Sequence, residues 1–440
     1  MNEERGHLSI TWVLETLRLR ATHVRNVGSY FVERILALSL YFISVPIFIE
    51  RQGSGAYGTL TLLLLVFSYT QFFDLGIGYA VNQRLGRAVA RKGRHLITIV
   101  QTAVPVFAVF GIVFAAAVFA FSQQLALLLF GRPEHSDAIR AVAFAMGLLT
   151  LDVLPVSLLQ AHNRVDWINY SRLVIDVTRA LGILAGAFAV HGIAVAVGFT
   201  IGGVVVKLLI DIVLSGRLLA GRFAFKPVFS ARSNALNLHL GMPVVSSVFF
   251  GMLMTSIDRI FVSRVFGQGA LAHYAVGADL CSKAYFLVWA ITGSVYTLYV
   301  RRRAKRQAAE DLIRVSLIAV AIVTVVFYLP LAVFAREVIG IWINPVFAAQ
   351  SAEITRIWAL AGVAYLITCV YSDHLRGYGK PGLLAISGGI GISAVITGLM
   401  TLPRWFHVAG AALAVLIGFL GQALFLWQCS RKVRRETMTS

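Results

Sequence analysis

Charge is scarce in this chain, and negative charge is scarcer still. Of 440 residues only 13% are charged, and 20 Asp and Glu stand against 39 Lys and Arg. A soluble domain carries about 25% charged residues, so most of this surface has to face lipid. Cysteine is nearly absent. Cys281, Cys369 and Cys429 lie far apart with no CxxC or metal spacing, which excludes a disulfide framework or a zinc site and leaves three small apolar helix residues. Met1 to Arg25 lacks the apolar core and small-residue cleavage site of a signal peptide. HExxH, paired acidic DxD and phosphate-gripping glycine motifs are missing as well. An enzyme is therefore not expected, and no cofactor or metal is called for.

What the chain has is apolar length. Hydrophobic residues make up 58% of it, and a helix needs about 20 of them to cross a bilayer. That ruler predicts an all-α polytopic membrane protein with twelve transmembrane runs, near 27–49, 55–80, 96–121, 138–160, 173–190, 193–216, 238–263, 271–299, 312–335, 351–375, 382–402 and 409–429. With the N-terminus inside, the inside segments 1–27, 81–95, 161–172, 217–235, 300–311, 376–381 and 430–440 hold 26 Lys and Arg. The outside segments 50–54, 122–137, 191–192, 264–270, 336–350 and 403–408 hold 5. This bias is the positive-inside rule with both termini cytoplasmic. It accounts for the net charge of +19 without nucleic acid. Clusters such as Arg301-Arg302-Arg303-Ala304-Lys305-Arg306 are topology signals first and contacts for anionic lipid second. No outside segment exceeds about sixteen residues, too little to hold a sugar acceptor for a membrane-embedded transferase or polymerase.

The second half repeats the first. LQAHNRVDWINYSRL (Leu159 to Leu173) and LRGYGKPGLLAISGG (Leu375 to Gly389) both leave a helix through a basic residue, Arg164 or Lys380, at the same offset. GIAVAVGFTIGG (Gly192 to Gly203) and GAALAVLIGFLG (Gly410 to Gly421) align small residues at Ala194 and Ala412, Ala196 and Ala414, Gly203 and Gly421. Arg51 precedes GSGAYG and Arg264 precedes GQGALAHYAVG. Displacements near 215 residues predict two six-helix bundles related by an axis along the membrane normal. The expected organisation is an extension over 1–26, with Leu8 to Val24 either an interfacial helix or a loose tail, then bundles over 27–216 and 238–429. A cytoplasmic linker over 217–237 joins them, and a basic tail follows over 430–440.

At this point the chain resembles a known family. VPIFIERQGSGAYGTLTLLLLVFSYTQFFDLGIGYAVNQRLGR (Val45 to Arg87), SIDRIFVSRVFGQGALAHYAVG (Ser256 to Gly277) and LRGYGKPG are similar to segments of bacterial polysaccharide flippases of the multidrug/oligosaccharidyl-lipid/polysaccharide exporter superfamily. Lipid II flippases of that superfamily resemble it less, since they usually carry fourteen helices. The resemblance implies a multidrug and toxin extrusion-like fold, with a V-shaped pair of six-helix bundles around a central cavity. It also implies movement of an undecaprenyl-diphosphate-linked oligosaccharide, an O-antigen or exopolysaccharide repeat unit, across the bacterial inner membrane. Membrane lipid and polysaccharide polymerase or export proteins are the partners it implies.

Charges inside the apolar runs are the candidate site. At the bilayer centre one charge costs roughly 2.5 to 3.5 kcal/mol. Arg34, Arg179, Lys207, Arg259 and Lys283 are the candidate substrate-binding cations, and Glu33, Asp74, Asp176, Asp211, Asp258 and Asp279 the candidate coupling or gating acids. Lys207 with Asp211, Asp279 with Lys283, and Asp176 with Arg179 are spaced to pair along one helix face, either as structural ion pairs or as a polar cavity wall. Glu33-Arg34 and Asp258-Arg259 are sequence neighbours pointing about 100° apart, too far for good mutual neutralisation. Both arginines lie on the first helix of a half, where the resemblance implies cavity-lining surface. Arg34 toward the cytoplasmic side and Arg259 toward the periplasmic side suggest two anion-holding levels, each a rigid donor fork. Pro46, Pro105, Pro155, Pro243 and Pro330 are expected to kink helices. A multidrug exporter of the same fold is the alternative, but a cationic drug calls for a cavity ruled by acids.

Overall fold

In lipid every backbone N–H and C=O must find its partner within the protein, so long apolar runs close their hydrogen bonds as helices. The computed structural model describes residues 10–70, 77–90, 95–219, 227–230, 249–254, 256–288, 310–380 and 382–439, with 233, 235, 237, 295, 298–299 and 302–303 between them. Every regular element among the described residues is helical. Helix α1 (Ile10–Ser68) breaks at Gly53. It is followed by α2 (Ile77–Ala90), α3 (Leu96–Ala120), the short α4 (Ser122–Phe130), α5 (Ser136–Ala161), α6 (Val165–Phe188) and α7 (Gly192–Leu218). The second half holds α8 (Ile257–Ser282), which breaks at Gly267, then α9 (Glu310–Val323), α10 (Leu329–Val333) and the short α11 (Ala335–Trp342). It ends with α12 (Pro345–Gly377), α13 (Gly382–Thr401) and α14 (Pro403–Thr439).

Eight helices among the described residues are long and apolar enough to cross a membrane. The remaining expected runs differ for physical reasons. The first two share α1 and part company only at Gly53. The fifth is the helix α6, whose Asp166, Arg172, Asp176 and Arg179 keep it from reading as a plain apolar span. The seventh and eighth meet in α8 at Gly267, and their far ends lie outside the described residues. Asp74 and Pro243 also lie outside them. Pro46, Pro105 and Pro155 sit inside α1, α3 and α5. Pro330 follows a π-helical turn over Thr324–Tyr328. A wider turn there accommodates a ring that has no N–H and would clash with the carbonyl four residues back.

The repeat is written in the backbone. Gly53 (φ 84°, ψ 164°) and Gly267 (φ 85°, ψ 171°), 214 positions apart, hold the same conformation, one essentially reserved for glycine. Both let a span reverse into the next without an intervening loop. At the opposite end, Asn163 (φ 56°) and Gly379 (φ 71°), 216 positions apart, are both left-handed. The amide of Arg164 donates to the Leu159 carbonyl and that of Lys380 to the Leu375 carbonyl, each at 2.9 Å, so both turns close the same helix cap. Packing repeats too, with α5 and α6 against α7 answered by α12 and α13 against α14.

Small residues set the spacing only in part. Ala196 and Ala414 are both buried, as their alignment predicts. A Cβ at Gly203 would come within 1.9 Å of Thr178 Oγ1, whereas one at Gly421 would make only an ordinary contact at 3.8 Å. Ala194 is exposed while Ala412 is buried. Outward-facing residues such as Ile112, Val326 and Leu424 are largely exposed, as a lipid-facing surface requires. Trp342 Nε1 donates to the Phe42 carbonyl at 2.8 Å, joining α11 to α1 across the two halves.

Candidate substrate cavity

Two adjoining chambers open between the halves. The first, about 340 Å³, is lined by Arg34, Leu38, Tyr41, Asp176, Arg179 and Lys283 among others. The second, about 440 Å³, adds Tyr57, Thr61, Arg259, Asp279, Trp358 and Phe419. Tyr41, Arg179, Ile183, Ser282, Lys283 and Tyr285 belong to both walls. The chain reaches these walls by helical period. On α1, Arg34, Leu38, Tyr41 and Val45 recur at steps of four, three and four, which keeps them on one stripe. Asp176, Arg179 and Ile183 do the same on α6.

Four of the five expected cations, Arg34, Arg179, Arg259 and Lys283, therefore line one space, with Asp176 and Asp279. Arg34 belongs to the first chamber alone and Arg259 to the second alone. Lys207 and Asp211 are not among the lining side chains. Lys207 sits between α5 and α7, hydrogen-bonded to Asp152 and, at 2.6 Å, to Asp211. All three are almost wholly buried.

The pairing pattern departs from the expected one in two places. Arg179 does meet Asp176, at 3.6 Å. Asp279, expected to pair with Lys283, is instead taken by Arg259 at 2.6 Å, because the guanidinium reaches it across the Gly267 reversal. Lys283 then has no carboxylate within 4 Å among the described residues, and its ammonium lies over the Tyr41 ring, 4.4 Å from the centroid. Glu33 and Arg34 were expected to miss one another. The arginine stem folds back, however, and brings Nε to 3.3 Å from the fully buried Glu33 carboxylate. Arg34 also lies 5.4 Å from the Tyr30 ring. The neighbours Asp258 and Arg259 do part as expected. Asp258 accepts from the Tyr274 hydroxyl at 2.5 Å while Arg259 faces Asp279.

Sequence reasoning missed the aromatic half of the wall. Tyr57, Tyr285, Trp358, Tyr365 and Phe419 come from α1, α12, α14 and the stretch after α8. Only Tyr41 carried a usable signal, standing seven residues after Arg34 on the same helix face. The wall thus combines an excess of fixed positive charge with flat aromatic surfaces. Such a space can hold a multiply charged anion by charge-assisted hydrogen bonds and stack a ring against its apolar side.

The family described as polysaccharide biosynthesis protein matches residues 23–297. The family described as MatE matches residues 243–399. No curated protein sequence matches the chain. Among solved structures, a multidrug resistance MATE family transporter of the MOP superfamily, in its inward-facing conformation, is 13% identical with a TM-score of 0.76, covering 92% of this chain and 99% of that one. The lipid II flippase MurJ, in an inward closed conformation, is 14% identical at 0.71, covering 94% and 90%. A MOP superfamily transporter from Pyrococcus furiosus, described as having a binding pocket of reverse polarity, is 13% identical at 0.67, covering 94% and 96%. At these identities the likeness is one of fold.

Proposed function

We propose that this chain, which belongs to the polysaccharide biosynthesis protein family, carries a diphosphate-linked oligosaccharide across the membrane by alternating access of its central cavity. The coarser statement is plain: it is a multi-pass membrane transporter of the flippase type in the MOP superfamily, and not an enzyme. The finer reading is that the cargo is an undecaprenyl-diphosphate-linked repeat unit of an O-antigen or exopolysaccharide. The host membrane is the bacterial inner membrane, both termini are cytoplasmic, and the glycan passes on to polymerase and export proteins.

The polarity of the cavity carries this reading. Its lining holds four cations and two acids, and each acid already faces an arginine. Lys283 is left with no carboxylate among the described residues. A diphosphate brings the missing negative charge and enough oxygens to take donors from Arg34, Arg179 and Lys283 together. The aromatic second chamber suits the sugars, whose C–H faces pack on Tyr and Trp rings. The lipid tail need not enter, because the carrier chain is at home in the surrounding hydrocarbon. The roles of Glu33, Asp176, Asp211, Asp258 and Asp279 as coupling or gating acids form part of the same proposal.

Deletion in the native host tests it. The lipid-linked glycan should accumulate on the cytoplasmic leaflet while the sugar chain fails to appear outside. Normal glycan combined with altered resistance to cationic dyes would replace this reading with drug export.

A further inference from the structure

We propose that α4 is a latch between the halves, its carboxyl-terminal carbonyls holding the glycine-turn end of the cavity shut, with Arg264 as the key donor. The last four carbonyls of any helix lack intrahelical partners. In α4 the Leu127 carbonyl keeps the Gly131 amide at 3.1 Å, and three of these four carbonyls, Leu127 included, also accept from side chains of the second half. Arg264 Nη1 donates to Leu127 at 2.6 Å, Ser263 Oγ to Leu129 at 2.8 Å, and Gln268 Nε2 to Phe130 at 3.1 Å. The guanidinium also meets the negative end of the helix dipole. Gly131 caps α4 in the left-handed region at φ 76°, and a Cβ there would lie 2.9 Å from Arg264 Nη1. The glycine thus ends the helix and leaves room for the arginine.

The other side of the latch is anchored in the first half. Ala126, Leu129 and Phe130 are buried, and Arg140 Nε donates to Ser122 Oγ at 3.1 Å. Directly beside the latch the two backbones touch: a Cβ at Gly58 would fall 1.9 Å from the Gln268 carbonyl. Tyr57, the preceding residue, lines the second chamber, so this contact closes its end.

Arg51 stands two residues ahead of Gly53 and Arg264 three ahead of Gly267, a one-residue offset that turns the two side chains about 100° apart on their helices. Arg51 stays on its own half, 5.2 Å from the Phe188 ring, while only Arg264 crosses to the other. All three donors are side chains and all three acceptors are backbone, so water can replace each bond when the halves part. The closure is therefore reversible.

The proposal rests on the alternating-access reading, and its test reads conformation rather than transport, so the two can fail separately. Spin labels at Glu134→Cys and Arg404→Cys, exposed on the two halves at this end, report their separation in reconstituted protein with Cys369 and Cys429 replaced by Ser. The unsubstituted protein gives mainly one short distance. R264A adds a longer one, shifting the open-to-closed ratio roughly 2- to 10-fold, and R264A/Q268A shifts it further. R264K, which still donates to a carbonyl, stays nearest the unsubstituted protein. Gly131→Ala displaces the guanidinium from the first half's side and lengthens the distance by an independent route. A pair within the first half, Glu134→Cys with Val190→Cys, keeps its distance throughout and reports an intact bundle. Superimposable distributions across R264A, R264A/Q268A and Gly131→Ala overturn the latch.

Discussion

Lys283 and Lys207 are both membrane lysines with an aspartate four positions away, and the structure puts them to opposite uses. Lys207 is enclosed by Asp152 and Asp211. Replacing it with Met leaves two carboxylates buried without their cation, a change that typically costs about 3–5 kcal/mol. K207M should therefore unfold at a clearly lower temperature in detergent, and D152N/D211N added to it should restore part of the loss. An unchanged Tm for K207M would show the triad to be solvated. Lys283 lies over Tyr41 with a cavity in front of it. K283A should leave stability near that of the parent but cut glycan transport by about tenfold or more, the scale of one charge-assisted contact, while K283R keeps most of it. The sequence could not tell the two apart. The i, i+4 rule finds the Asp211 partner, but Asp152 is 55 positions away, and the Arg259 that takes Asp279 from Lys283 reaches it only through the Gly267 reversal.

At the scale of elements, α6 shows why a strict search for apolar runs undercounts a transporter. Its Asp176 and Arg179 share one face, and that face borders the cavity rather than lipid. Charge patterning pointed to this helix through Asp176 and Arg179, since charges three apart in an apolar run need an interior to face. The glycine turns were harder to read. GSGAYG and GQGALAHYAVG each offer three glycines, and sequence alone does not say which takes the positive φ. Gly53 and Gly267 do, in a region closed to other residues. Gly53→Ala and Gly267→Ala should each cost about 1–3 kcal/mol of stability, measurable as a lowered Tm. Gly55→Ala, with open space around its Cβ position, should be close to neutral. Gly58→Ala acts differently, since its methyl group would strike the Gln268 carbonyl. It should shift the protein toward separation at the glycine-turn end, read by the same label pair at Glu134 and Arg404.

For the whole molecule, the two-bundle architecture could be read early because the repeat is carried by turns. Turns have narrow chemical requirements, and Arg164 with Lys380 mark caps that prove identical in hydrogen bonding. Helix faces have looser requirements, so Ala194 and Ala412 align in sequence yet differ in burial. The cavity's charge was legible residue by residue, since four of five proposed cations share it. Its aromatic side was not, because Tyr and Trp in apolar runs look like ordinary core. Purified protein in liposomes offers the most direct measurement. Transfer of an undecaprenyl-diphosphate-linked oligosaccharide between leaflets should be accelerated by the native chain and lowered about tenfold or more in R179A and K283A. The same lipid carrying one phosphate should compete poorly. Equal transfer by the native protein and both variants would contradict a cation-lined route for a diphosphate.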